Sequence, residues 1–223
     1  VTAVPSADAP TPAFLVVLDV DSTLIENEAI ELLAEEAGTV DHVARVTERA
    51  MRGELDFSAS LIERVATLEG LTVGVFDRVA PRIVVTTGVA ELVAGVHTAG
   101  GAVCVVSGGF HELLDPLASR LGLDDWKANR LATDEGALTG RVDGPIVDAE
   151  AKAVALRGWA SRWGIPLERT VAIGDGANDL RMMAAAGLGV AFDAKPAVRA
   201  AADVVLRDRD LSAVLPLLGL PRA

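Results

Sequence analysis

The stretch Phe14-Leu15-Val16-Val17-Leu18-Asp19-Val20-Asp21-Ser22-Thr23 decides how the rest of the chain is read. A short apolar run rich in β-branched residues follows Pro10 and Pro12 and ends abruptly in two aspartates one residue apart. That pattern predicts a buried strand. Asp19 and Asp21 then stand at its carboxyl edge, where open α/β sheets bind ligands. Alternate side chains of extended backbone share a face, so both carboxylates point the same way, and their repulsion calls for a hard divalent cation with oxygen ligands. An acidic turn capping a helix is the plain alternative. A calcium loop is excluded: it follows a helix, needs a central glycine and closes with Glu at its twelfth position, where this chain has Ile30.

Outward from this strand the chain is uneven. Between Glu28 and Arg82 the pattern is helical throughout. The spacing predicts helices over 29–37, stopped by Gly38, over 40–51, followed by Gly53, over 56–68, stopped by Gly70, and over 73–79 before Pro81. Residues 28–82 therefore read as a helical insertion, a small bundle set between 14–27 and 83–223. From about residue 88 strands alternate with helices: helix 89–98, strand 102–106, helix 110–121, a hairpin of 129–133 and 137–142, helix 149–163, strand 170–173, helix 178–186, strand 189–192, helix 196–201, strand 203–206 and helix 211–217. Such alternation implies a Rossmann-like, doubly wound α/β fold with a mostly parallel sheet covered on both faces. Residues 1–13, rich in Ala, Pro and Thr, are expected to form a disordered arm or linker remnant, and the start at Val1 rather than Met points to trimming or an alternative start.

Composition narrows the class. Apolar residues make up 51% of 223, enough for a substantial core plus a smaller unit. A net charge of −12 argues against nucleic acid and anionic membrane as partners, and 4% aromatics with no Tyr leave little surface on which bases could stack. Cys104 is the only cysteine, so no internal disulfide can form; it sits in an apolar strand as a small buried hydrophobe, and a cytoplasmic location is the default. No secretory segment and no membrane-spanning stretch is apparent.

The chemistry gathers at strand exits. Strand 102–106 leads into Ser107-Gly108-Gly109, and strand 170–173 into Gly174-Asp175-Gly176-Ala177-Asn178-Asp179, each expected to open a helix. A hydroxyl and glycine amides at a helix start would cradle an anion, although either segment alone could be an ordinary turn. Lys152 can place a point charge on a phosphoryl oxygen. Exits of one parallel sheet converge on one crevice, which favours the functional reading of all three.

Asp19-Val-Asp-Ser-Thr, Ser107-Gly-Gly, Lys152 and Gly174-Asp-Gly-Ala-Asn-Asp resemble the four ordered motifs of the haloacid-dehalogenase-like phosphatases. The longer phrases around them, Asp19-Val-Asp-Ser-Thr-Leu-Ile-Glu-Asn-Glu, Val106-Ser-Gly-Gly-Phe and Ile173-Gly-Asp-Gly-Ala-Asn-Asp-Leu, are similar to the phosphoserine phosphatase family, over about residues 14–218. The resemblance implies Mg²⁺-dependent hydrolysis of phosphoserine, the last step of serine biosynthesis. Asp19 is then the nucleophile, Asp21 the acid and base, and Asp19, Asp175 and the Asp21 main-chain carbonyl the metal ligands. Ser107, Gly108, Gly109, Lys152 and Asn178 would bind phosphate or substrate, and Asp179 would orient Lys152 and the ion's water. Glu28 would receive the substrate's ammonium and Arg64 its carboxylate, while Met51 and Phe57 would line and close the pocket. The same resemblance implies a small-molecule substrate and a monomer or homodimer. Rival readings are transfer of the phosphoryl group to another alcohol such as homoserine, action on a different small phosphate ester, and a receiver-type switch phosphorylated on Asp19. His42 and His97 read as incidental, and His111 as a surface helix residue.

Overall fold

The computed structural model describes residues 11–222. The predicted arm falls largely on residues outside that range, but Ala13 already joins the fold, its N–H donating to the Gly100 carbonyl at 2.8 Å. Strand β1 (Leu15–Leu18) is buried along its whole length. It pairs in parallel with β2 (Ala102–Phe110) on one side and β5 (Thr170–Gly174) on the other. Beyond β2 lie β3 (Asp125–Asp134) and the antiparallel β4 (Ala137–Asp143); beyond β5 lie β6 (Leu188–Phe192) and β7 (Val204–Leu206). The seven-stranded order β4-β3-β2-β1-β5-β6-β7 makes β1 the strand from which the chain departs in both directions. A crevice opens at such a reversal, outside the carboxyl ends of the strands.

Because side chains alternate, β1 feeds two cores. Val16 and Leu18 pack in one cluster with α5 (Val89–Thr98) and the closing 3₁₀ turn Leu211–Leu218. Leu15 and Val17 pack in the other, with Leu156 and Trp159 of α7 (Ala149–Arg162) and Met182 of α8 (Leu180–Ala185). Burial on both faces accounts for the unbroken apolar run in the sequence. Register places Leu18 level with Val105 and Ile173, so the three strands leave the sheet side by side.

The segment after β1 holds α1 (Ala29–Ala37), α2 (Val40–Met51), α3 (Phe57–Ala66) and the short α4 (Val75–Val79). Gly38 ends α1 in the left-handed conformation (φ 68°), which glycine adopts without a Cβ clash. A third apolar cluster joins Leu33, Val43, Leu61 and Val65 of these helices to Phe110, Leu131 and Leu138 of the sheet side. The contact with β4 is made through main chain: Gly70 N–H donates to Leu138 O at 2.9 Å, Leu138 N–H to Leu71 O at 2.8 Å and Val73 N–H to Gly136 O at 2.9 Å.

Three expectations need correction. Ser107-Gly108-Gly109 opens no helix; it continues β2 in extended form, and α6 begins only at His111 (His111–Leu121). The register of β2 against β3 shifts between Val106 and Phe110, so the glycines accommodate a bulge rather than a helix start. The closing segment 211–218 is a 3₁₀ rather than an α-helix, with Pro216, which has no N–H to donate, inside it. His111 is no free surface residue: its Nδ1 lies 2.6 Å from Asp115 Oδ1, and its Nε2 accepts the Ala128 N–H at 3.1 Å, tying α6 to β3. One further boundary moves: α8 is preceded by a 3₁₀ turn, Ala177–Asp179, where a continuous helix was expected from Asn178.

Candidate active site

Asp19 leaves β1 in extended geometry, its N–H donating to Ile173 O at 2.9 Å. Extended backbone at Asp19 and at Asp21 (φ −64°, ψ 133°) lets both carboxylates reach the same cavity. The chain then turns sharply through Ser22, a non-glycine residue held at φ 58°. Left-handed backbone at such a residue costs roughly 1–2 kcal/mol, and strain of this kind collects at functional turns. The turn aims the Ser22 hydroxyl at Glu28, donating to Oε1 at 2.8 Å. Asp21 is held by two donors, the Ala29 N–H at 2.7 Å and the Ser107 hydroxyl at 3.2 Å. A Cβ on Gly109 would lie 2.8 Å from Asp21 Oδ2, so this close approach requires glycine there.

Behind this edge lies a buried charge cluster. Lys152, fully buried on α7, donates through Nζ to Asp19 Oδ1 at 2.5 Å and to Asp179 Oδ1 at 2.7 Å. The other oxygen of Asp179 accepts the Gly176 N–H at 3.0 Å. A desolvated ammonium is costly unless charged groups satisfy it, and here two do. Burial alone would lower the Lys152 pKa, but Asp179 and Asp19 override it and hold the amine charged. Burial, and next the Asp179 charge, push Asp19 well above the ordinary carboxylate range, with Lys152 opposing. Burial also raises Asp21, against the pull of its two donors. Asp175 is raised to about 6, by burial and by Asp179.

Carboxylate oxygens of Asp19, Asp175 and Asp179 lie within 4.8 Å of one another. Oxygen donors this close suit a hard divalent cation. Both Asp179 oxygens are already engaged by Lys152 and Gly176, which leaves Asp19 and Asp175 as the freer donors.

The edge opens into a cavity of about 830 Å³. Asp19, Asp21, Asp175 and Asn178 line it from the sheet side, with Gly108 and Gly109. Glu28, Met51, Phe57 and Arg64 line it from the helical segment. Ser107, Lys152 and Asp179 stand behind the wall, bonded to Asp21, Asp19 and Gly176. Every site residue expected from the sequence thus falls in or directly behind one cavity. Phe57 packs so tightly on the β2 extension that a Cβ on Gly108 would meet its Cζ at 2.5 Å. Met51 is the exception in burial, 73% exposed at the rim. Burial raises Glu28 to about 7, assisted by Asp21, and burial lowers the Arg64 guanidinium against the pull of Glu28 and Asp21.

Sequence reasoning missed Ser22 as the partner of Glu28, and it missed Lys195, which lines the cavity from the exit of β6. The signal for Lys195 was available: the exit rule that singled out β1, β2 and β5 applies equally to β6.

The chain is similar to known proteins over nearly all its length. Phosphoserine phosphatase SerB2 of Mycobacterium tuberculosis is 52% identical over 208 residues, covering 93% of this chain and 51% of that protein. The phosphoserine phosphatase of Streptococcus thermophilus is 51% identical over 204 residues, covering 92% of this chain and 95% of that protein. The chain therefore spans about half of one relative and almost all of the other. A solved structure, described as a phospho-aspartyl intermediate analogue of phosphoserine phosphatase, superposes with a TM-score of 0.87 at 41% identity, covering 92% of this chain and 99% of that one. Among the described residues no helix is long and apolar enough to cross a membrane. Residues 16–184 match the haloacid dehalogenase-like hydrolase family, and with the strand-exit carboxylates and buried lysine in place the chain belongs to that family.

Proposed function

We propose that this chain is a Mg²⁺-dependent phosphoserine phosphatase acting in the cytoplasm. One observation carries the reading. A single cavity joins a phosphate-handling edge, Asp19 with Lys152 and Ser107 behind it, to an acid and a base, Glu28 and Arg64, that line it from the helical segment. Phosphoserine has the matching ends: a dianionic ester, an ammonium and a carboxylate. Glu28 receives the ammonium, whose charge favours the ionised carboxylate over the protonated one. Arg64 clamps the carboxylate with its planar fork. Residues 28–82 act as a cap over a core formed by 14–27 and 83–223, with Met51 and Phe57 closing the mouth and excluding water.

Asp19 attacks phosphorus, forming an aspartyl-phosphate as the ester oxygen departs. Asp21, whose raised pKa suits a proton donor, gives that oxygen its proton and then takes one from the attacking water. Lys152, Ser107 and the Gly108 amide hold the phosphoryl oxygens; Asn178 binds substrate, and Asp179 fixes Lys152 in place. The carboxylates of Asp19 and Asp175, with the Asp21 main-chain carbonyl, would hold Mg²⁺, which supplies charge neutralisation between nucleophile and phosphate.

Phosphate release from phosphoserine, with and without Mg²⁺, tests this directly. The expected result is metal-dependent turnover, with Asp19→Asn folded and slowed by at least about 10⁴-fold, as for loss of a covalent nucleophile. Phosphohomoserine appearing when homoserine is added would make the protein a transferase. A stable phosphoprotein with no turnover would make it a switch.

A further inference from the structure

The cavity carries a charge problem. Five carboxylates line it, Asp19 and Asp175 among them, against two cations, Arg64 and Lys195. The chain as a whole has a net charge of −12. A phosphate monoester approaching this opening is itself a dianion: Mg²⁺, when held, would offset only Asp19 and Asp175, Lys152 is buried behind Asp19, and the net negative charge of the chain still opposes the approach.

Lys195 is placed to offset that field. It follows β6 on the loop that leads into α9 (Pro196–Ala201), and its N–H donates to the Asp175 carbonyl at 3.2 Å. The side chain is exposed and yet lines the cavity with Asp19, Asp175 and Asn178, which puts it at the rim on the sheet side. The ion pairs among the described residues engage Lys152 but not Lys195, whose ammonium makes no direct pair and pulls on the Asp175 charge from a distance. Arg64 lines the cavity from α3, its Nε bonded to the Ser60 carbonyl at 3.2 Å. The two cations of the lining thus come from different segments, Arg64 from α3 and Lys195 from the exit of β6.

We propose that Lys195 guides the substrate: its ammonium at the rim draws the dianionic phosphoryl group past the carboxylates and delivers it to Asp19 and Lys152. The inference rests on the phosphatase reading but adds a residue and a task to it. Lys195 is a positioning residue that acts on the charge of the incoming ester, so it works on any phosphate monoester, whereas Arg64 reads only the amino-acid end.

The test compares Lys195→Arg, Lys195→Gln and Lys195→Glu with the wild type, on phosphoserine and on p-nitrophenyl phosphate, from low salt to about 0.5 M, where screening confines fields to a few ångströms. At low salt kcat/KM should fall about 5-fold in Lys195→Gln and about 20-fold in Lys195→Glu, on both esters, with the loss in KM; Lys195→Arg should stay within about 2-fold. At high salt the variant-to-wild-type ratios should converge towards one. A loss that salt does not screen, a loss in kcat, or no loss at low salt overturns the proposal. Should Lys195→Gln fail to fold, the contrast between Lys195→Arg and Lys195→Glu carries the same test. Wild-type protein that hydrolyses neither ester would instead sink the phosphatase reading itself.

Discussion

Charge is handled in opposite ways at the sheet edge and on the helical segment. At the edge, one fully buried ammonium, Lys152, is shared by two buried carboxylates that lie 133 and 27 residues away along the chain. On the helices the pairs are partly to largely exposed and mostly closer in sequence, as in Arg49 with Glu63 at 2.7 Å and Arg52 with Glu48 at 3.0 Å. The first arrangement bears a desolvation cost that only chemistry requires, and two strand exits and the helix α7 must be assembled to build it. The second contributes on the order of 0.2–1 kcal/mol per pair and can be lost without consequence to the core. Between these extremes stand Glu28 and Arg64, half-buried on the cavity wall.

Removing Lys152 should break the contrast most visibly. Lys152→Met leaves Asp19 and Asp179 buried without their cation, so a loss of about 3–5 kcal/mol in unfolding free energy is expected, together with nearly all turnover. Arg49→Ala should cost less than about 1 kcal/mol by the same denaturant titration. Equal losses in the two variants would mean that the buried cluster is held no more tightly than a surface pair.

Arg64→Ala should fall between them and act on recognition. KM for phosphoserine is expected to rise about 10- to 100-fold, in keeping with a lost charge-assisted bond of roughly 1.5–3 kcal/mol, while p-nitrophenyl phosphate changes by less than about 2-fold. Equal effects on both esters would remove the carboxylate clamp.

The smallest effect concerns Glu28. Burial raises its pKa from 4.5 to about 7, so the folded protein binds the extra proton and the unfolded chain does not. Its favourable contribution is complete below about pH 4.5 and is lost as pH rises through about 7. Glu28→Gln should therefore raise the Tm at pH 8 by about 5 °C, a gain that shrinks on acidification and vanishes near pH 4.5. A pH-independent gain would trace to packing instead of charge.

Much of this organisation was legible in the residues. The run 15–18 with Asp19 and Asp21 at its end announced the central strand, because a strand buried on both faces must read as unbroken apolar sequence. Lys152 was identified, although a lone lysine on a helix gives no sign of its own burial; that depended on Asp19 and Asp179 converging from distant parts of the chain. Ser107-Gly108-Gly109 was misplaced onto a helix start because glycine pairs after a strand fit a turn equally well, and the deciding bulge against β3 is a tertiary fact. His111 was passed over for the same reason: Asp115 lies one turn along its own helix, but the Ala128 amide belongs to another strand.

The main-chain stitches between 70–73 and β4 carry a practical lesson for anyone exchanging the helical segment among these hydrolases. Gly140, at φ 71°, lies so near the end of α3 that a Cβ there would approach the Ala66 carbonyl to 3.1 Å. A chimera that transplants 28–82 alone would tear those seams and leave the donor helices resting on a foreign hairpin. The transplantable piece is discontinuous, the helices together with the β3–β4 tip.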